Sequence, residues 1–200
     1  MAAATDRIRS SREGFYEGAL VVGLLVGVMW IVEIVNSLDS QQLDSDGIIS
    51  RRLAGLPGIL SAPFLHESFT HLIGNTIPFV ILGLVIALGG AGRVIAVTVI
   101  AVVTSGVAAW ALSSAGTDTI GASGVVFGYA TYLIARGLFT RSMLQIVVGV
   151  LVAVLFGASL LLSIVPEHGI SWQDHVGGAA GGVLAAWLLS GRRTAAPENK

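Results

Sequence analysis

The sequence predicts an all-α fold, a polytopic membrane protein built as a six-transmembrane helical bundle, and three observations predict it. Apolar residues make up 54% of the chain and charged residues only 12%, against roughly 25% charge in ordinary soluble domains. Six apolar runs, each near the length that crosses a ~30 Å hydrocarbon core, are separated by short polar or glycine-rich breaks. Basic residues concentrate in alternate breaks, as the positive-inside rule requires. The net charge of −1, with eleven scattered Lys and Arg, argues against nucleic acid as a partner. The absence of cysteine excludes a disulfide framework, a thiol nucleophile and a cysteine metal site.

Residues 1–18 form a polar N-terminal segment with Arg7, Arg9 and Arg12, and the apolar run 19–38 follows. That run is too long for a signal-peptide core and no Ala-x-Ala-like site follows it, so a retained first span is expected. Glu33 and Asn36 fall toward its far end, where an interfacial or packing role is expected. Residues 39–65 are too many for a structureless loop in a compact chain, so short helical pieces on or dipping into the membrane surface are expected. The second span is 71–88, and Gly89-Gly90-Ala91-Gly92-Arg93 turns into the third, 94–112. A polar loop precedes the fourth, 121–138, among the shortest; Thr140-Arg141-Ser142 turns into the fifth, 143–165, and the sixth is 172–189. The membrane domain is thus 19–190, followed by a tail, 191–200.

With the N-terminus in the cytoplasm, Arg7, Arg9, Arg12, Arg93, Arg136, Arg141, Arg192, Arg193 and Lys200 lie inside and only Arg51 and Arg52 outside. Both termini are therefore expected to be cytoplasmic, in a plasma (inner) membrane. Even-numbered spans then start at the outer face. His71 opens the second, Ser123 opens the fourth and His175 lies near the start of the sixth, so three reactive side chains share one depth.

A serine hydroxyl becomes a nucleophile when a base takes its proton, and histidine is the usual base because its pKa lies near neutral. Gly178 and Gly182 share roughly one helical face with His175, and Gly124 and Gly128 lie four apart behind Ser123. Facing stripes of small residues let two helices approach closely, which would bring Ser123 within reach of His175. Acyl transfer also needs donors for the developing oxyanion. His71 and Asn75, four apart on one face, and the Ser123 amide at a helix N-terminus are the candidates. Asp174 neighbours His175 in sequence and points about 100° away on a helix, so a Ser-His dyad is the natural reading.

The patterns His66-x4-His71-x3-Asn75, Gly121-Ala122-Ser123-Gly124 and His175-x2-Gly178-x3-Gly182, in that order, resemble the rhomboid intramembrane serine proteases. The resemblance covers all six spans, the long first loop and the short fourth helix. It implies Ser123 as nucleophile, His175 as general base, and His71, Asn75 and the Ser123 amide around the oxyanion. It also implies no cofactor, and transmembrane segments of other membrane proteins, single-span or otherwise, as substrates cleaved near the membrane surface. Many bacterial members carry a tyrosine four residues after the serine; here Phe127 keeps the ring face for stacking on the histidine and loses the hydroxyl. His66 matches a further family histidine, expected to support the loop by hydrogen bonding.

Blander readings stand beside these. A lone Gly-x-Ser-Gly can be helix packing, single histidines at helix starts can be interfacial, His168 is expected to be solvated, and the four tryptophans suit interfacial anchoring. His66-Glu67-Ser68-Phe69-Thr70-His71 resembles a zinc-protease motif with one extra residue, which on one helix would leave the imidazoles ~140° apart. A catalytically silent, client-binding relative is the non-enzymatic alternative; no paired broken helices of the transporter kind are found. Hydrolysis further requires a cavity open to outside water, with substrate entering beside the fifth span under a movable cap at 163–172. The oligomeric state stays open.

Overall fold

Helix formation follows the apolar runs. In the computed structural model, which describes residues 2–163 and 171–191, seven α-helices appear in the order α1 (Ala2–Leu38), α2 (Gly58–Ser61), α3 (Phe69–Ala87), α4 (Ala91–Leu112), α5 (Ser123–Thr140), α6 (Met143–Leu162) and α7 (Trp172–Leu188). By length and composition, Ser11–Leu38, Phe69–Ala87 and Ala91–Leu112 are long and apolar enough to cross a membrane. Large apolar side chains point outward on α1 and α6: Leu20, Ile31, Val154 and Leu155 are 63–73% exposed. On a soluble protein such a surface would aggregate; against lipid it is at rest. His168, Arg192, Arg193, Lys200 and most of the expected cap at 163–172 lie outside the described residues.

The long first loop contains the short helical pieces expected of it: α2 and 3₁₀ turns at Gln42–Asp46, Leu53–Gly55 and Ala62–Phe64. It also contains a feature no periodicity announces. Strand β1 (Ile48–Ile49) pairs antiparallel with β2 (Asp118–Thr119), Ile48 opposite Thr119 and Ile49 opposite Asp118. The loop crosses the end of α4, and its backbone polar groups need partners there. The Ser50 N–H donates to Thr117 C=O at 2.9 Å, the Arg51 N–H to Trp110 C=O at 3.0 Å, and Trp110 Nε1 donates back to Arg52 C=O at 2.9 Å.

Asn36, fully buried, sets how the chain leaves α1. Its backbone carbonyl receives the N–H groups of Asp39 and Gln41, its side-chain oxygen receives the Leu43 N–H at 2.9 Å, and its amide donates to Gln41 and to Asp44 Oδ1 at 2.7 Å. The residue packs inside the protein, as a packing role requires, and Glu33 beside it is equally buried.

Helix α5 is the axis of the bundle. Val125, Val126, Phe127, Tyr129, Ala130, Tyr132 and Leu133 are all buried, so the helix is covered on nearly every side. Helix α7 is wedged between α4 and α5 through two glycine edges. Gly177 and Gly181 lie against Thr104 and Ala108 of α4, while Gly178 and Gly182 lie against the backbones of Gly124 and Gly128. A methyl group at Gly178 would land on the Gly124 carbonyl oxygen. Thr131 Oγ1 closes the seam by donating to Ala179 C=O at 2.9 Å.

Candidate active site

Ser123 is the first residue of α5. The turn before it is set by Gly121, whose φ of +114° is one that L side chains rarely adopt. The Gly121 N–H donates to Ala62 C=O at 2.8 Å, which ties the nucleophile turn to the first loop. A Cβ at Gly121 would sit 2.8 Å from His71 Cε1, 2.9 Å from His71 Nε2 and 3.5 Å from Asn75 Nδ2. The His71 imidazole and the Asn75 amide therefore lie directly against the backbone that leads into Ser123.

His175 stands near the start of α7, and its ring stacks on Phe127 with centroids 4.2 Å apart and planes 4° from parallel. Its Nδ1 lies 2.7 Å from the Ser163 carbonyl oxygen. A carbonyl only accepts, so Nδ1 carries the hydrogen and Nε2 of the neutral ring keeps its lone pair. Ser123, His175, His71, Asn75 and Phe127 all line one cavity of about 1120 Å³. It reaches up past Ser113, Ser114, Ser159, Ser163 and Ser171 to Asp44, Glu67 and Asp118 in the loops, a lining that water would wet. The Ser123 hydroxyl makes a long hydrogen bond of 3.4 Å, and its acceptor is Asp174 Oδ2, not His175.

On the facing wall Asn75 is 6% exposed, and its Nδ2 is buried without a hydrogen-bond partner. His66 is fully buried and meets His71 edge-on, with centroids 5.1 Å apart at 73°. Neither ring nitrogen of His66 makes a hydrogen bond of full geometry; the Phe64 backbone is the polar group that acts on the ring, which packs against His71. Burial pushes its imidazole down to about 4, His71 adds to this, and the Phe64 backbone works the other way, so it is neutral near pH 7. Because α3 starts at Phe69, His66 precedes the helix, and the rings approach where a single helix would separate them. Among the described residues no group of three or more ligand-type side chains surrounds them in a way that could hold a metal ion.

At the rim, burial raises the Asp44 carboxyl above its ordinary range, with the Asn36 amide opposing. Burial likewise raises Asp118, against the pull of the Thr119 backbone and with help from Asp44 and Asp46.

Two contacts are not anticipated in the sequence: that of the Ser163 carbonyl with His175, and that of Asp174, weighed there only as a partner of His175, with Ser123. The Ser163 carbonyl, which orients His175, is a backbone atom and leaves no trace in residue type. Asp174 left a trace, since Ser171-Trp172-Gln173-Asp174 has the S-x-x-D form of a helix start; the Ser171 hydroxyl does receive the Asp174 N–H, at 3.4 Å.

Comparison with known proteins bears on the whole chain. The model of the Rhomboid domain matches residues 54–192. The uncharacterized protein Rv1337 of Mycobacterium tuberculosis is 36% identical over 200 residues, covering 96% of this chain and 81% of its own length. The uncharacterized protein ML1171 of Mycobacterium leprae is 38% identical over 192 residues, covering 92% of this chain and 74% of its own. A domain match over most of the chain and similarity at this level make the protein a member of the rhomboid family, a helical membrane protein of intramembrane-protease type.

Proposed function

We propose that the protein is an active intramembrane serine endopeptidase that cleaves transmembrane segments of other membrane proteins near the external face. In this reading α1 and α3 to α7 are six spans of a plasma (inner) membrane with both termini in the cytoplasm, and residues 19–190 form the membrane domain. The observation that carries it is the sharing of one cavity by Ser123, His175 and a buried amide, Asn75 Nδ2, that has no partner. A buried donor without an acceptor awaits one, and the oxyanion of a tetrahedral intermediate is such an acceptor.

The reaction follows from the tautomer. His175 Nε2 takes the Ser123 proton as Oγ attacks the scissile carbonyl, and the imidazolium is held by the Ser163 carbonyl and the Phe127 ring. Asn75, His71 and the Ser123 N–H receive the negative oxygen. The proton then passes to the leaving amine, and water from the polar mouth of the cavity hydrolyses the acyl-enzyme. The substrate helix enters beside α6, whose outward face is apolar. No cofactor is needed for any of these steps.

Cleavage of a single-span substrate by the purified protein in proteoliposomes tests the reading, with Ser123→Ala and a chelator as the two comparisons. The serine variant is expected to lose cleavage by about 10⁵-fold or more, below detection, and the chelator to have no effect. Equal absence of cleavage from folded wild type and variant that both bind substrate would instead indicate the silent, client-binding relative. Loss to chelator alone would return the metal reading.

A further inference from the structure

The protease reading above leaves open what holds its nucleophile in place. Asp174 is 5% exposed and sits three residues after the Ser171 cap of α7. In a capping box the acidic side chain folds back on its own helix. Here it crosses to α5. Its Oδ2 accepts from Ser123 Oγ, the Ser105 hydroxyl and the Gly124 N–H face the same carboxylate, and a Cβ at Gly124 would be 2.5 Å from both carboxylate oxygens. Helix α5 has no side-chain cap of its own, because its N-cap is Ala122. A carboxylate at that end serves N–H groups that lack helical partners and is favoured by the helix dipole.

We propose that Asp174 is a positioning residue for Ser123: a carboxylate lent by α7 that caps α5 from outside and holds the serine hydroxyl at the cavity wall. During acylation the Oγ–H bond breaks, the Oγ–C bond forms and the proton goes to His175 Nε2; Asp174 neither gains nor loses one. Since Asp174 and His175 are consecutive on α7, one stretch of backbone sets both the base and the place of the nucleophile.

The experiment uses the full chain, wild type against Asp174→Ala and Asp174→Asn. It measures the rate at which a fluorophosphonate labels Ser123, kcat and KM for a transmembrane substrate, and the melting temperature. Alanine is expected to slow labelling and kcat together by about 10- to 100-fold, with KM within about twofold. Asparagine, whose carboxamide oxygen can accept from the same place, is expected to stay within about fivefold of wild type. If the alanine variant does not fold, Asp174→Val, which fills part of the space and has no acceptor oxygen, takes its place with the same expectation. Wild-type labelling and kcat in the alanine or valine variant would overturn the proposal. So would an asparagine variant as slow as alanine at an unchanged melting temperature, because charge and not position would then be what Asp174 supplies. Failure of the protease reading itself is seen separately, in wild type that the probe does not label.

Discussion

The two walls of the cavity are built by different means. The α5–α7 wall, which carries Ser123 and His175, is backbone against backbone: Gly178 and Gly182 leave no room for a methyl group, and Phe127 lies flat on the His175 ring. The wall made by α3 and the first loop is side chain against side chain, and its polar atoms are left over. Asn75 Nδ2 is buried with no partner, and the nitrogens of His66 meet the Phe64 backbone short of full hydrogen-bond geometry, although an unsatisfied buried atom costs about 1–3 kcal/mol. The first wall fixes distances; the second holds hydrogen-bonding capacity in reserve. A site that must receive a charge only in the transition state needs both, since reserved donors help only if the reacting atoms are already in place.

The largest effect should come from breaking the first wall. Gly178→Val puts a branched side chain where the Gly124 carbonyl oxygen stands, and backbone cannot step aside. The seam must open, at an expected cost of about 3 kcal/mol or more, and cleavage should vanish as Ser123 and His175 part. Thermal unfolding in detergent, alongside cleavage, checks this. Gly157→Ala on α6 is the control: nothing lies within 4 Å of its added methyl, and alanine is the better helix former, so stability should hold or rise by up to about 1 kcal/mol. Equal melting temperatures for the two variants would mean that the seam is looser than its glycines imply.

The contrast between the walls also explains what the sequence could tell. The six long helices, the close approach of Gly124 and Gly128 to Gly178 and Gly182, and the ring stack of Phe127 on His175 rest on spacing and ring shape, which residue letters carry. The β1–β2 ladder is two residues long and comes from backbone need, which they do not. The 100° offset of Asp174 from His175 is a property of any helix, but what stands in that direction depends on which helix packs there, and here it is the uncapped start of α5. His66 illustrates the same limit. Its angle to His71 depends on whether the helix has begun, and the Ser68 cap, accepting from the His71 N–H at 3.2 Å, starts it too late to include His66.

An intermediate effect tests the second wall. Asn75→Ala removes the unpartnered donor and leaves the α5–α7 seam untouched. In the proposed mechanism kcat should fall by about 10²- to 10³-fold, the usual cost of losing one oxyanion donor. KM should change little. The melting temperature should hold or rise, because a buried amide without a partner is lost. A kcat within threefold of wild type would take Asn75 out of the oxyanion site and leave His71 and the Ser123 N–H as its donors.

The smallest effect concerns acid and His66. Its imidazole titrates at about 4 when folded, against 6.5 for an ordinary histidine. Between those values the unfolded chain binds the proton and the folded chain does not, so the stability due to this group is present above pH 6.5 and is lost as the pH falls toward 4. Asp44 and Asp118, raised by burial, work in the opposite direction, since their contribution is full below the ordinary aspartate range and declines as pH rises. Both are present in wild type and in His66→Leu, so they cancel in the difference between the two. The wild-type melting temperature should therefore drop more than that of His66→Leu between pH 7 and pH 4.5, while cleavage at pH 7 changes far less than in Asn75→Ala. Parallel melting curves across that range would show that His66 takes up a proton without resistance, and that the second wall is wetter than its burial indicates.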